Sequence, residues 1–167
     1  MKYIVFILCL ILISGCSNDS TEPEEQQPVL FFSESSTTIT VGEQTNLSLE
    51  IEDFTESVFG VSFQVQYDSS IISFNESSGL SSGDFFGQDA IIFVKDNNSN
   101  IHITISQIQG QNVVSGSGVF NTFTFNGKSF GNCTIQITPE DLHFYDINGN
   151  IIELQDLEFK SAIINVQ

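Results

Sequence analysis

Asp146-Ile147-Asn148-Gly149-Asn150 sets side-chain oxygens at alternate positions, the way a calcium-binding loop begins. Asp146, Asn148 and Asn150 are therefore the calcium candidates of this chain. The rest of such a loop is missing. Ile151 stands where the sharp turn needs glycine, and Leu157 where the closing carboxylate belongs. The same residues read better as an Asn-Gly turn joining Leu142–Ile147 to Ile151–Leu154 in a hairpin. No resident metal or cofactor is expected.

The other reactive groups are isolated. His102 and His143 are the only histidines, and neither has a cysteine or histidine at zinc-ligand spacing. Cys133 lies in Cys133-Thr134-Ile135-Gln136-Ile137, in register with two isoleucines, which predicts a buried, inert thiol. Ser115-Gly116-Ser117-Gly118 lacks the lysine and following helix of a phosphate loop and reads as the start of a strand. The carboxylates of Glu24-Glu25, and of Asp53 with Glu56, are expected in a stalk and a loop, solvated. No catalytic constellation emerges, so the chain is not expected to be an enzyme.

Cys16 offers a different chemistry. Lys2 is followed by the apolar run Tyr3 to Ile13, then Ser14 and Gly15, then Cys16. The apolar run is too short to span a bilayer and has the layout of a secretory signal. Ile13-Ser14-Gly15-Cys16 resembles a bacterial lipoprotein signal, which implies cleavage after residue 15 and lipidation of Cys16. Residues 17–28 have no apolar side chain except proline and read as a flexible acidic stalk, with a reach of at most about 35 Å. The expected organisation is a signal peptide at 1–15, a stalk at 16–28 and one domain at 29–167. The expected location is the bacterial cell envelope, lipid-anchored at the outer membrane or cell surface.

Charge narrows the partners. The chain has 21 acidic residues, 4 lysines and no arginine, for a net charge of −17. Nucleic acid needs clustered basic residues and is excluded as a partner. Anionic headgroups are disfavoured too, which leaves the lipid anchor as the membrane contact.

From Val29 onward the apolar residues recur at a period of two. Leu47, Leu49 and Ile51 alternate with polar residues; so do Val61, Phe63, Val65 and Tyr67, then Ile101, Ile103 and Ile105. Phe123 and Phe125, Ile135 and Ile137, and Ala162, Ile164 and Val166 repeat the pattern. Ile39 and Val41 alternate with threonine. Turn signals separate these runs. Strands with one apolar face each require a second sheet to cover that face. The fold class is all-β, an antiparallel β-sandwich or jelly roll.

Several segments carry a family likeness. Val41-Gly42-Glu43 precedes Gly60-Val61-Ser62-Phe63-Gln64-Val65-Gln66-Tyr67-Asp68, which leads into Ile71-Ile72-Ser73-Phe74. Val114 to Phe125, with its Ser-Gly-Ser-Gly start, then Gly131-Asn132-Cys133-Thr134-Ile135 and Asp146 to Ile152 follow in order. Over about residues 36–166 this arrangement resembles a cohesin domain. The resemblance implies a nine-stranded jelly roll, related in fold to certain cellulose-binding modules. It also implies a non-catalytic receptor that holds a calcium-loaded dockerin module on one flat sheet face, as in the attachment of polysaccharide-degrading enzymes.

That face would be built from Ser62, Gln64 and Gln66 on one strand and His102, Thr104 and Ser106 on its neighbour, continuing toward Gln107 and Gln109. Many dockerin-binding cohesins carry an Asn and an Asp early in the first of these strands, where this chain has Gly60 and Ser62. Two other functions fit the same sandwich. A carbohydrate-binding module would stack polysaccharide on exposed rings, and with Tyr67 facing inward the candidates are Tyr145, Phe85 and Phe86. A structural surface protein would have no dedicated ligand. The leader generates one test. Cys16→Ala is expected to abolish lipidation and release the protein from membranes; membrane fractionation of the variant that matches wild type would overturn the anchor.

Overall fold

The computed structural model describes residues 27–154 and 156–167. The signal segment, Cys16 and the stalk up to residue 26 lie outside the described residues.

The strands run Val29–Phe32 (β1), Ser36–Ile39 (β2), Gln44–Val58 (β3), Gly60–Gln66 (β4), Ile72–Phe74 (β5), Leu80–Ser82 (β6) and Ile91–Asp96 (β7). They continue with Asn100–Ser106 (β8), Val114–Gly127 (β9), Gly131–Ile137 (β10), His143–Tyr145 (β11), Ile151–Ile152 (β12), Glu158–Lys160 (β13) and Ala162–Val166 (β14). The one helical element among the described residues is a short 3-10 turn, Pro139–Asp141. A back sheet has the order β13-β1-β3-β9-β5, with β6 also on β9. A front sheet contains β7-β8-β4-β10-β14-β2, with β11 and β12 beyond the other half of β4.

The sandwich is as the alternation requires, but it is cut into more pieces than nine strands. β10 and β11 line the same edge of β4 and are parted by the Pro139–Asp141 turn. A proline cannot donate to the ladder, so the strand breaks there. Two pairings are parallel, β1 with β13 and β2 with β14. Val41 is exposed in the turn after β2 rather than continuing that strand. Asp53 and Glu56 are exposed residues of β3 rather than of a loop, and Asp53 occupies a bulge at φ 54°.

Between the sheets lies a phenylalanine-rich core. Leu47, Leu49, Ile51 and Phe54 of β3 face Val61, Phe63 and Val65 of β4 and Ile101, Ile103 and Ile105 of β8, all buried. Cys133, Ile135, Ala162 and Ile164 extend it. One aromatic cluster joins Phe32, Phe74, Phe123, Phe125 and Tyr67. A second joins Phe54, Phe63, Phe85, Phe86, Phe120 and Phe144, with Phe54 stacked on Phe144 at 4.8 Å.

A bulge in β9 builds the second cluster. Leu49 pairs with Asn121 and Glu50 with Val119, so Phe120 is the extra residue. The shift buries both Phe120 and Asn121. It also receives the segment before β7: Gly83 N–H donates to the Phe120 carbonyl at 2.9 Å, and Asp84 accepts from Val119 N–H at 2.8 Å. A side chain at Gly83 would collide with the Val119 backbone. Phe85 and Phe86 are thereby carried inward and are only 7% and 4% exposed. The expectation that they form an exposed sugar platform is corrected: glycine permits close approach here, not exposure.

Gly60 has a similar cause. A Cβ there would sit 2.9 Å from the Ile105 carbonyl oxygen, so the close approach of β8 excludes an asparagine at this position. Gly60→Asn is expected to cost about 1–3 kcal/mol by overpacking, read by urea denaturation; wild-type stability would show that the strands part freely. Phe120→Ala should cost about 3–5 kcal/mol, while Phe93→Ala, at a ring 69% exposed on β7, should change stability by under ~0.5 kcal/mol. Equal losses at the two phenylalanines would contradict this core.

Candidate partner-binding face

All six residues expected to form the face come together. Ser62 pairs with Thr104 and Gln64 with His102, on the outward side of β4 and β8; Ser106 pairs with Gly60 one step along. Period two explains this, because their neighbours Val61, Phe63, Val65, Ile103 and Ile105 are core. Gln107 departs from the expectation. It is buried, and its Nε2 donates to the Phe86 carbonyl at 2.6 Å, tying down the inward-folded segment. Gln109 stays exposed beyond the strand end.

Flanking strands widen the face. Gln136 of β10 donates from Nε2 to Gln66 Oε1 at 2.9 Å. Lys95 of β7 lies beside His102 and pairs with Glu76 at 2.7 Å. His143 of β11 lies beside Ser62, and the Ser62 and Tyr145 hydroxyls are hydrogen-bonded at 3.1 Å. The outward residues of β4, β8 and β10 are Ser, Gln, Asn, His and Thr, without one carboxylate. In a chain with 21 acidic residues that is a neutral window.

Sequence reasoning missed the apolar end of this face. Ile91 and Phe93 of β7, Ile151 of β12 and Ile147 of the β11–β12 loop are all exposed. A signal existed: Ile91-Ile92-Phe93-Val94 is apolar without alternation, so the strand carries apolar side chains on both faces. Of these, Ile147 lines a cavity of about 420 Å³, together with Gly60, Thr104, Ser106 and Tyr145 among others.

The calcium candidates form the expected turn. Tyr145 pairs with Ile151 and Phe144 with Ile152 in the hairpin. Asp146 Oδ1 accepts from the Asn148 and Asn150 backbone N–H groups, both at 2.8 Å, and Oδ2 accepts from Asn150 Nδ2 at 2.9 Å. These bonds, that of the Asn150 side chain first, hold the Asp146 carboxyl below its ordinary range. Gly149 takes φ 82°, a conformation that glycine adopts without strain. Among the described residues no group of three or more His, Cys, Asp or Glu gathers as a metal site.

Cys133 is fully buried, accepts the Asp68 N–H at 3.1 Å, and has its thiol pKa raised by burial. A thiolate nucleophile is therefore disfavoured. Gly79-Leu80-Ser81-Ser82-Gly83 has the spacing of a nucleophile elbow. Ser81 sits on β6 of the back sheet, paired with Thr122, with no strand-to-helix turn, whereas both histidines lie on the front sheet.

Comparison with known proteins agrees with this geometry. A model of the cohesin domain family matches residues 32–156. A non-cellulosomal cohesin from the archaeon Archaeoglobus fulgidus superposes with a TM-score of 0.65 at 13% identity, over 85% of this chain and 92% of that one. A type II cohesin domain from the cellulosome of Acetivibrio cellulolyticus gives 0.68 at 15% identity, over 84% and 96%. A type I cohesin–dockerin complex from Clostridium thermocellum, Coh-OlpC-Doc435, gives 0.66 at 14% identity, over 84% and 94%. The comparison with curated proteins gives no match. The family match over residues 32–156, borne by a sandwich that superposes on solved cohesins, places this chain in the cohesin domain family.

Proposed function

We propose that this protein is a non-catalytic docking receptor whose front sheet binds a dockerin-type module. The observation that carries the reading is the neutral window of β4, β8 and β10 on a chain of net charge −17. Ordinary solvated strands of so acidic a protein need no such exclusion of carboxylates. A surface of amides, hydroxyls and imidazoles can be covered without leaving a buried charge unpaired. The family assignment and the solved cohesin–dockerin complexes among its structural neighbours support the choice of partner.

In this reading calcium belongs to the partner, since Asp146 spends both carboxylate oxygens on its own turn. Cys16 and the acidic stalk tether the receptor to the outside of the bacterial envelope, where the captured module could bring a polysaccharide-degrading enzyme. The glycan-binding alternative is weakened by the burial of Phe85 and Phe86 and by the bond that holds the Tyr145 hydroxyl to Ser62.

Immobilised full-length protein should capture, from the organism's secreted proteins, polypeptides with duplicated Asp-x-Asn-x-Asp-Gly segments in calcium, and release them in EDTA. Gln64→Lys combined with Gln66→Lys should abolish capture while unfolding free energy stays within about 0.5 kcal/mol of wild type. Capture undiminished in the double variant would remove the face from the mechanism.

A further inference from the structure

Among the described residues β7 is the long open edge of the sandwich. The other strands at sheet ends, β2, β5, β6, β12 and β13, are two to four residues long, whereas β7 has six. It pairs with β8 alone, in unbroken register, and Ile91–Asp96 contains no proline. Soluble domains ordinarily blunt an edge with prolines, bulges or shortness, because a bare edge offers its peptide groups to another strand.

The direction of those groups follows from the end of the strand. Asn97 N–H donates across the hairpin to the Asn100 carbonyl at 3.0 Å, so it faces β8. Asp96 N–H, one residue back, donates to Glu76 Oε1 at 3.0 Å, on the other side. Peptide groups alternate along a paired strand. Phe93 and Lys95 therefore bond to β8, while Ile92 and Val94 hold their N–H and C=O groups toward the open edge. Glu76 caps that edge at Asp96, and no strand lies beyond Ile92 or Val94.

The side chains beside the edge are complementary to their own reverse order. Asp89 and Lys95 are exposed, and between them Ile91 is 45% and Phe93 69% exposed. Asp96 is turned inward, where it accepts the Tyr67 hydroxyl at 2.9 Å. The outward series thus runs acidic, apolar, apolar, basic.

We infer that β7 is the seam of a symmetric dimer, in which the β7 strands of two copies pair antiparallel about a twofold axis at Ile92. In that register Ile92 meets Ile92 of the second copy, and Val94 meets its Ala90, which bonds the open peptide groups of both. Ile91 stands against Phe93 of the second copy, a β-branched–aromatic pair, and Lys95 against its Asp89. An axis at Phe93 would instead set Asp96, whose N–H Glu76 already holds, against Ala90 and leave Lys95 facing Ile91. The net charge of −17 on each copy opposes association at a distance. Salt screens that repulsion beyond about 8 Å at physiological ionic strength, and within that range Lys95 of each copy meets Asp89 of the other. The dimer does not depend on the docking reading. Where both hold, the twofold axis leaves the two neutral windows side by side on one face, and a partner with two modules is held by both.

Full-length protein in non-ionic detergent is taken through a concentration series at physiological ionic strength. Sedimentation counts the copies, and ¹⁵N-resolved amide exchange locates the seam. A dimer should form as concentration rises, and the Ile92 and Val94 amides should then exchange at least about tenfold more slowly. Phe93 and Lys95 should be protected throughout. Ile92→Pro removes the central N–H without touching a bond to β8, and Phe93→Lys sets a lysine against Ile91 on each side of the axis. Either variant should weaken the dimer at least about tenfold. Dilute Phe93→Lys protein should melt at the wild-type temperature, which separates loss of pairing from loss of fold. A monomer at every concentration would overturn the seam. So would a dimer whose Ile92 and Val94 amides stay open, as association through the leader would give, or one that both variants leave intact.

Discussion

Everything in this domain depends on burying one face of each sheet against the other. The strands alternate, so each residue sent inward obliges its neighbours to face out. Val61, Phe63 and Val65 pack against the back sheet, and that packing alone puts Ser62, Gln64 and Gln66 on one flat surface. A slip of one residue in β4 would exchange the two sets and destroy core and face together. The neutral face and the phenylalanine core are two readings of a single register.

Within that frame, close backbone approaches do the finer shaping. The bulge at Phe120 offers a carbonyl to Gly83 and an N–H to Asp84, which pulls Phe85 and Phe86 into the core. Gln107 then secures the Phe86 carbonyl from the front sheet. In the front sheet, the close approach of β8 takes the space that a side chain at Gly60 would need. Glycine at 83 and glycine at 60 serve the same physical purpose, which is to let a neighbouring backbone come where a side chain would otherwise stand.

The alternating runs made the sandwich and its outward set legible in the sequence. Cross-strand pairs of β4 with β8 fall where period two puts them. The Asn-Gly hairpin was legible too, since its turn chemistry is local. The errors have non-local causes. Phe85 and Phe86 look like loop residues until the β9 bulge, far along the chain, receives them. Gln107 looks like a continuation of the outward series, but it lies past the end of β8 and turns in to meet a carbonyl. Ile91 and Phe93 drew no reading from the sequence, because their exposure follows from the place of β7 at the edge of the front sheet.

By itself the sequence determined the fold class, the outward residues of β4 and β8, the acidity of the chain, and the turn at Asp146. Each of these follows from composition or from contacts a few residues apart. Tertiary structure alone decided which glycines are filled against, which phenylalanines are buried, and which apolar strand is left at an edge. Those outcomes depend on strands distant in sequence meeting at a particular separation, and no local pattern encodes that separation.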